Sequence, residues 1–126
     1  MMNNPKFALL LRKIVTELEP YASLPVDPSS HTAQVRDVPG MWNQAQYAAA
    51  VQGMCKFLER NAELLERSSD PLPTRKRDEL SGQLFGGMGS LSDFYLDERV
   101  LGARAKVTNE RLRTLIGELY SVFKVV

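Results

Sequence analysis

The residues in this chain that could do chemistry are few. His31 is the only histidine and Cys55 the only cysteine. A metal centre would need both, or carboxylates gathered from distant elements, because no HxxxH, HExxH or ExxH spacing occurs. His31 therefore reads as a surface histidine in a polar segment. Cys55 stands beside Met54 and Leu58 on an apolar stripe, which is where free cysteine serves as packing. A nucleophilic thiolate would want a helix N-terminus or a basic partner, and neither is visible. Glu59, Glu63 and Glu66 share one side of a helical pattern, the arrangement that paired-carboxylate chemistry uses. Lys56, Arg60 and Arg67 interleave with them, and the pairs Lys56–Glu59, Arg60–Glu63 and Glu63–Arg67 fit a solvated ion-pair face better.

The most unusual run is Phe85-Gly86-Gly87-Met88-Gly89-Ser90-Leu91-Ser92-Asp93. Glycines at this density answer a need for positive φ or for close approach of the backbone to something else. A phosphate cradle would want a lysine and a following helix N-terminus, as in GxxxxGK[ST]. The run has no lysine, and Asp93 would repel an anion. A helix end at Gly86 or Gly87, a tight turn at Gly89 and a new short helix capped by Ser90 or Ser92 is the better reading. A loop that touches a partner is the alternative. Asp93, Asp97 and Glu98 then form an acidic cluster fit for docking. Trp42, the only tryptophan, is a core anchor or an interface hot spot.

These residues must be held by helices. Phe7, Leu10, Leu11, Ile14, Val15 and Leu18 recur at three- and four-residue spacing, which predicts an amphipathic helix over 5–19, capped by Asn4, opened by Pro5 and closed by Pro20. Residues 20–40 hold four prolines and no period, so they read as a long loop. Within it, Asp27-Pro28 could open one helical turn, or 31–38 could run extended. Tyr47, Val51, Met54, Leu58, Ala62 and Leu65 predict a long helix from about Trp42 to Arg67. Gly53 inside it costs roughly 1 kcal/mol against alanine and suggests a close helix crossing. A short helix over 74–85 turns Leu80, Leu84 and Phe85 inward, and the glycine break follows at 86–89. Leu91 to Val100 could be a short helix or a strand pair. The last helix spans Thr108 to about Lys124, with Thr108 as cap and Leu112, Leu115, Ile116, Leu119, Tyr120 and Phe123 as its stripe.

Together these elements predict an all-α fold, one domain over 1–126: an irregular bundle of three to four amphipathic helices, with a short extended segment near 91–100 as the alternative. The 126 residues suffice for one core. Sixteen basic residues against 15 acidic ones leave a net charge of +1, and no global field recruits nucleic acid or an anionic membrane. One cysteine, no signal-like h-region and no apolar run of spanning length suggest a cytoplasmic protein. No cofactor, metal or catalytic constellation is expected.

The run Gly86-Gly87-Met88-Gly89-Ser90-Leu91-Ser92-Asp93-Phe94-Tyr95-Leu96 resembles a family of small bacterial proteins. Their C-terminal part carries GGMGS(L/F)(N/S)D before apolar residues and a terminal helix. Ser92 stands where that family usually has asparagine. Arg60-Asn61-Ala62-Glu63-Leu64-Leu65 is similar too, so the resemblance covers about half the chain. It implies no activity of its own. By analogy with other small helical bacterial proteins, it suggests an immunity protein that blocks the active site of a cognate toxin. The contacts then expected are Trp42, Asp93, Tyr95, Asp97 and Glu98. A self-associating helical protein is the second expectation, and a small-ligand binder with an enclosed pocket beside the glycines the third.

Overall fold

The computed structural model describes residues 3–22, 42–68, 72–87 and 89–124. Its elements are α1 (Asn4–Ala22), α2 (Gln44–Arg67), α3 (Thr74–Phe85), a 3-10 turn (Leu91–Asp93), α4 (Glu98–Leu101) and α5 (Arg104–Lys124). The fold is all-α, and no strand occurs among the described residues. Of the two alternatives near 91–100 the strand pair does not form; the segment holds the 3-10 turn, four residues without regular structure (94–97) and the single helical turn of α4. The region read as the long loop, including the helical turn at Asp27-Pro28 and the extended alternative at 31–38, lies mostly outside the described residues, as does His31.

Helix α1 is the centre of the bundle. Phe7, Leu11, Ile14 and Leu18 are completely buried, and the helix packs against both α2 and α5. Its boundaries differ from those predicted at each end. Asn3, one residue before the expected cap, accepts the Lys6 N–H at 3.1 Å. Asn4 is instead inside the helix and buried, donating Nδ2 to the Ser68 carbonyl at 3.2 Å. At the other end Pro20 lies within the helix, which runs on to Ala22. Tyr21 explains the extension: it continues the 14–18 stripe, is buried, and its hydroxyl lies 2.9 Å from Thr108 Oγ1 on α5. Gln52 on α2 then donates to the Ala22 carbonyl at 2.7 Å, serving one of the acceptors that a helix end leaves open.

Helix α2 starts on a reciprocal capping box. Asn43 Oδ1 accepts from the Gln46 N–H at 2.9 Å, and Gln46 Oε1 accepts from the Asn43 N–H at 2.8 Å, so two orphan donors are satisfied at once. Tyr47, Val51, Leu58, Ala62 and Leu65 are buried as the spacing predicts, and Cys55 is buried with them, whereas Met54, the remaining residue of the predicted stripe, is only half-buried. The expected intrahelical ion pairs do not form. Among the described residues the ion pairs are Arg12–Glu66, Asp97–Arg99 and Glu17–Arg111. Glu66 reaches across to α1, where Arg12 grips it at 2.6 and 3.0 Å. This fork holds the Glu66 carboxyl below its usual range and raises the Arg12 guanidinium.

Helix α5 begins at Arg104, four residues before the predicted start. Thr108 is therefore no cap. It is buried, and its hydroxyl donates back to the Arg104 carbonyl at 3.2 Å. Gly102, at φ +93°, makes the left-handed bend that joins α4 to α5 and spares a side chain the strain of that region. Helix α3 closes the bundle through aromatic contacts. The Phe85 ring lies 5.2 Å from Tyr120 and 5.5 Å from Phe123. Arg77 sits 5.0 Å over Phe123 while donating to its carbonyl at 2.9 Å.

Candidate functional site

The glycine run does end α3. Gly86 is the residue just past the helix, and its N–H donates to the Gly82 carbonyl at 3.1 Å. A Cβ at position 86 would lie 2.6 Å from that same carbonyl oxygen, so glycine is required there by close approach of backbone to backbone. Gly89 turns with φ +86°. Ser90 precedes the 3-10 turn but does not cap it. Its buried hydroxyl lies 3.1 Å from Ser92 Oγ instead.

Beyond the turn, α5 grips the connector by its main chain. Arg113 donates Nη1 to the Ser92 carbonyl at 2.6 Å and Nη2 to the Phe94 carbonyl at 2.7 Å. The buried Asn109 amide imitates a strand partner: Oδ1 accepts the Leu96 N–H at 3.0 Å and Nδ2 donates to the Leu96 carbonyl at 2.7 Å. Gln44 on α2 adds a bond to the Val100 carbonyl at 3.1 Å. Arg113 and Asn109 satisfy a connector that no sheet ladder serves, and Gln44 takes a carbonyl of the short helix α4.

The connector and α3 leave one side of α2 uncovered, and an open groove runs along it. Its first part, about 520 Å³, is lined by Trp42, Tyr47, Ala50, Met54, Gly89, Ser90, Asp93, Phe94 and Tyr95. Met54, Gly89 and Ser90 are shared with a second part of about 360 Å³, bounded also by Gly53, Phe57, Gly82 and Gln83. Phe57 and Gln83 lead on to a third part of about 420 Å³ between α2 and α3, where Arg60, Glu63, Arg67, Lys76 and Glu79 stand. Gly53 therefore marks no close helix crossing. Nothing lies within 4 Å of the place a Cβ would take at Gly53, Gly82 or Gly89, and these bare backbones open onto the groove. The walls of its first two parts are mainly apolar: Trp42 is 48% exposed and Tyr95 56% exposed, while Met54 and Phe57 are half-buried at its centre; the third part is lined mainly by charged side chains.

Of the five residues singled out in the sequence, three meet here. Trp42, Asp93 and Tyr95 line the same part of the groove. Asp97 does not belong with them. It is buried, it caps α4 by accepting the Arg99 N–H at 2.9 Å, and it binds the Arg99 side chain at 2.9 and 3.1 Å. Those hydrogen bonds hold its carboxyl below the usual range. Glu98 is exposed on α4 and does not line the groove. Tyr47, at the aromatic end, has its phenol raised above its usual range by burial and by the Asp97 carboxylate. Cys55 is a packing residue: burial, aided by Glu59 and Glu19, pushes its thiol up to about 11.

Met54 and Gly53 are groove residues that the spacing placed in the core stripe and at a helix crossing, and Phe57 and Gly82 were not singled out at all. Their signal was present as a second apolar row on α2 (50, 54, 57), one step beside the core stripe. Among the described residues, no three or more His, Cys, Asp or Glu side chains are grouped to hold a metal ion, and no described helix is long and apolar enough to cross a membrane. The class these features define is a small all-α bundle with an open, glycine-floored apolar groove. No protein-family model matches the chain, and neither a curated protein nor a solved structure does. The resemblance to a bacterial family thus rests on the residues of Arg60 to Leu65 and Gly86 to Leu96 alone.

Proposed function

We propose that this chain is a non-enzymatic binding protein of the bacterial immunity type, which acts in the cytoplasm by seating a segment of a cognate toxin in the groove along α2 and so occluding the toxin's active site. The observation that carries the binding role is the groove itself, with exposed Trp42 and Tyr95 at one end and Met54 and Phe57 at its centre. Large aromatic side chains around an apolar trough are the usual anchors of protein interfaces, and a trough beside a long helix suits a helical or extended segment. Its open form is a poor match to the small-ligand alternative, since ligand sites bury most of their ligand. The toxin as partner rests on the family resemblance and on analogy.

The test is co-expression with the products of neighbouring genes, read as rescue of growth and a complex that survives gel filtration. Phe57→Asp, which puts a charge into the trough, should weaken that complex at least tenfold (roughly 1.4 kcal/mol) without changing the helical circular dichroism. An undiminished complex would remove the groove from the interface, and failure of every neighbouring product to bind would remove the immunity role.

Self-association is the second reading. Leu64, 42% exposed on α2, extends the apolar surface beyond the groove's centre, and a second copy of the chain is the partner that would cover it. Light scattering that shows only monomer across a wide concentration range would dispose of it.

A further inference from the structure

We propose that the aromatic end of the groove is a receptor for the guanidinium group of an arginine side chain carried by the partner protein; this rests on the protein-binding role above. Four aromatic rings line that part of the groove, those of Trp42, Tyr47, Phe94 and Tyr95, and Asp93 is the one charged residue among its lining side chains. Trp42 and Tyr47 stand edge to face, 5.3 Å apart and inclined at 71°, and Trp42 is about half exposed. Ring faces attract cations through their quadrupole, tryptophan most strongly. A carboxylate at the rim supplies the opposite charge.

The neighbouring cations are engaged elsewhere. Arg99 is held on Asp97 at 2.9 and 3.1 Å, and Arg113 spends its two terminal nitrogens on the carbonyls of Ser92 and Phe94. The Asp93 carboxylate has only a long bond from the Gly89 N–H, at 3.4 Å, and joins none of the ion pairs among the described residues. It is exposed, with oxygen lone pairs left for a visitor. Arginine fits better than lysine. Its planar, weakly hydrated guanidinium stacks on aromatic rings and presents a fork to a carboxylate, whereas the lysine ammonium is a strongly hydrated point charge. The uncharged walls and the glycine floor at Gly89 let the aliphatic stem lie along the trough.

Trp42 is the only tryptophan, so its fluorescence reports on this end of the groove alone. The probe is N-acetyl-arginine amide, titrated at constant ionic strength beside N-acetyl-citrulline amide, which has nearly the same shape without the charge, and N-acetyl-lysine amide. A saturable change is expected with the arginine probe, and binding weaker by about fivefold or more with either of the others. Asp93→Asn and Tyr95→Ala should each weaken the arginine probe by a similar factor, while Glu98→Gln, outside the groove, leaves it unchanged. Tyr95 is more than half exposed, so its truncation tests the site without emptying the core; circular dichroism checks both variants for retained helix. A response that never saturates, equal binding of citrulline or lysine, or full binding by Asp93→Asn would overturn the assignment. If Phe57→Asp breaks a partner complex and Asp93→Asn leaves it intact, the arginine receptor falls and the binding role stands. The probe titration decides the receptor whether or not a partner complex is found.

Discussion

Asn109 is the residue on which the candidate site most depends, though it touches no part of the groove. Its amide pairs with both the N–H and the carbonyl of Leu96, and both residues are buried. Replacing it with alanine leaves two backbone groups without partners and without water, so Asn109→Ala should cost about 2–4 kcal/mol; urea unfolding measures it. The Asp97–Arg99 pair gives a prediction with a sign. Because the Arg99 hydrogen bonds hold the Asp97 carboxyl below its ordinary value, the stability they add is present above the unfolded carboxyl pKa, about 3.9. It is lost as pH falls from there through the folded value. Arg99→Gln should therefore melt lower than the parent at neutral pH, and the gap should close as the pH drops below about 4. Salt should narrow the neutral-pH gap too, since Arg99 is largely exposed. A gap that stays constant across the acid range would show that the pair contributes nothing through charge.

At the scale of elements, the glycine break is the sharpest test. A Cβ on Gly86 would meet the Gly82 carbonyl oxygen, a backbone atom that cannot swing aside. Gly86→Ala should cost roughly 1–3 kcal/mol, read as a lower urea midpoint. Gly87→Ala, where nothing lies within 4 Å of the added carbon, is the matched control and should be near neutral. The helices themselves were legible in the sequence because each has a core stripe at three- and four-residue spacing, and every residue of the α1 stripe is buried. Their ends were less so, for a physical reason. Pro20 is a stop signal by local rules, but Tyr21 finds Thr108 on another helix and that contact outweighs the missing N–H. Thr108 looked like a cap because hydroxyls serve caps well; here the tertiary contact to Tyr21 claims it. The groove was half legible. Trp42, Asp93 and Tyr95 stood out by type and place, but whether Met54 and Phe57 face a neighbour or solvent depends on how far α3 stands from α2, which no local spacing encodes.

For the whole molecule, the two sides of α2 do different work and should separate cleanly. Leu58 is fully buried, so Leu58→Ala should lower stability by about 2–5 kcal/mol in thermal or urea unfolding. Phe57→Asp on the adjoining row should change binding far more than melting. If both variants melt alike, the groove is part of the core and not a surface for a partner. The bundle thus reads as a frame, with α1 at the centre, that holds one irregular segment in place at its edge. Arg113, Asn109 and Gln44 hold that segment entirely by main-chain atoms. Such a clasp is blind to which side chains the segment carries. The letters at 93, 95 and 98 are therefore open to rewriting: the scaffold would display another set with the same backbone, and a change of addressee would need no change of architecture.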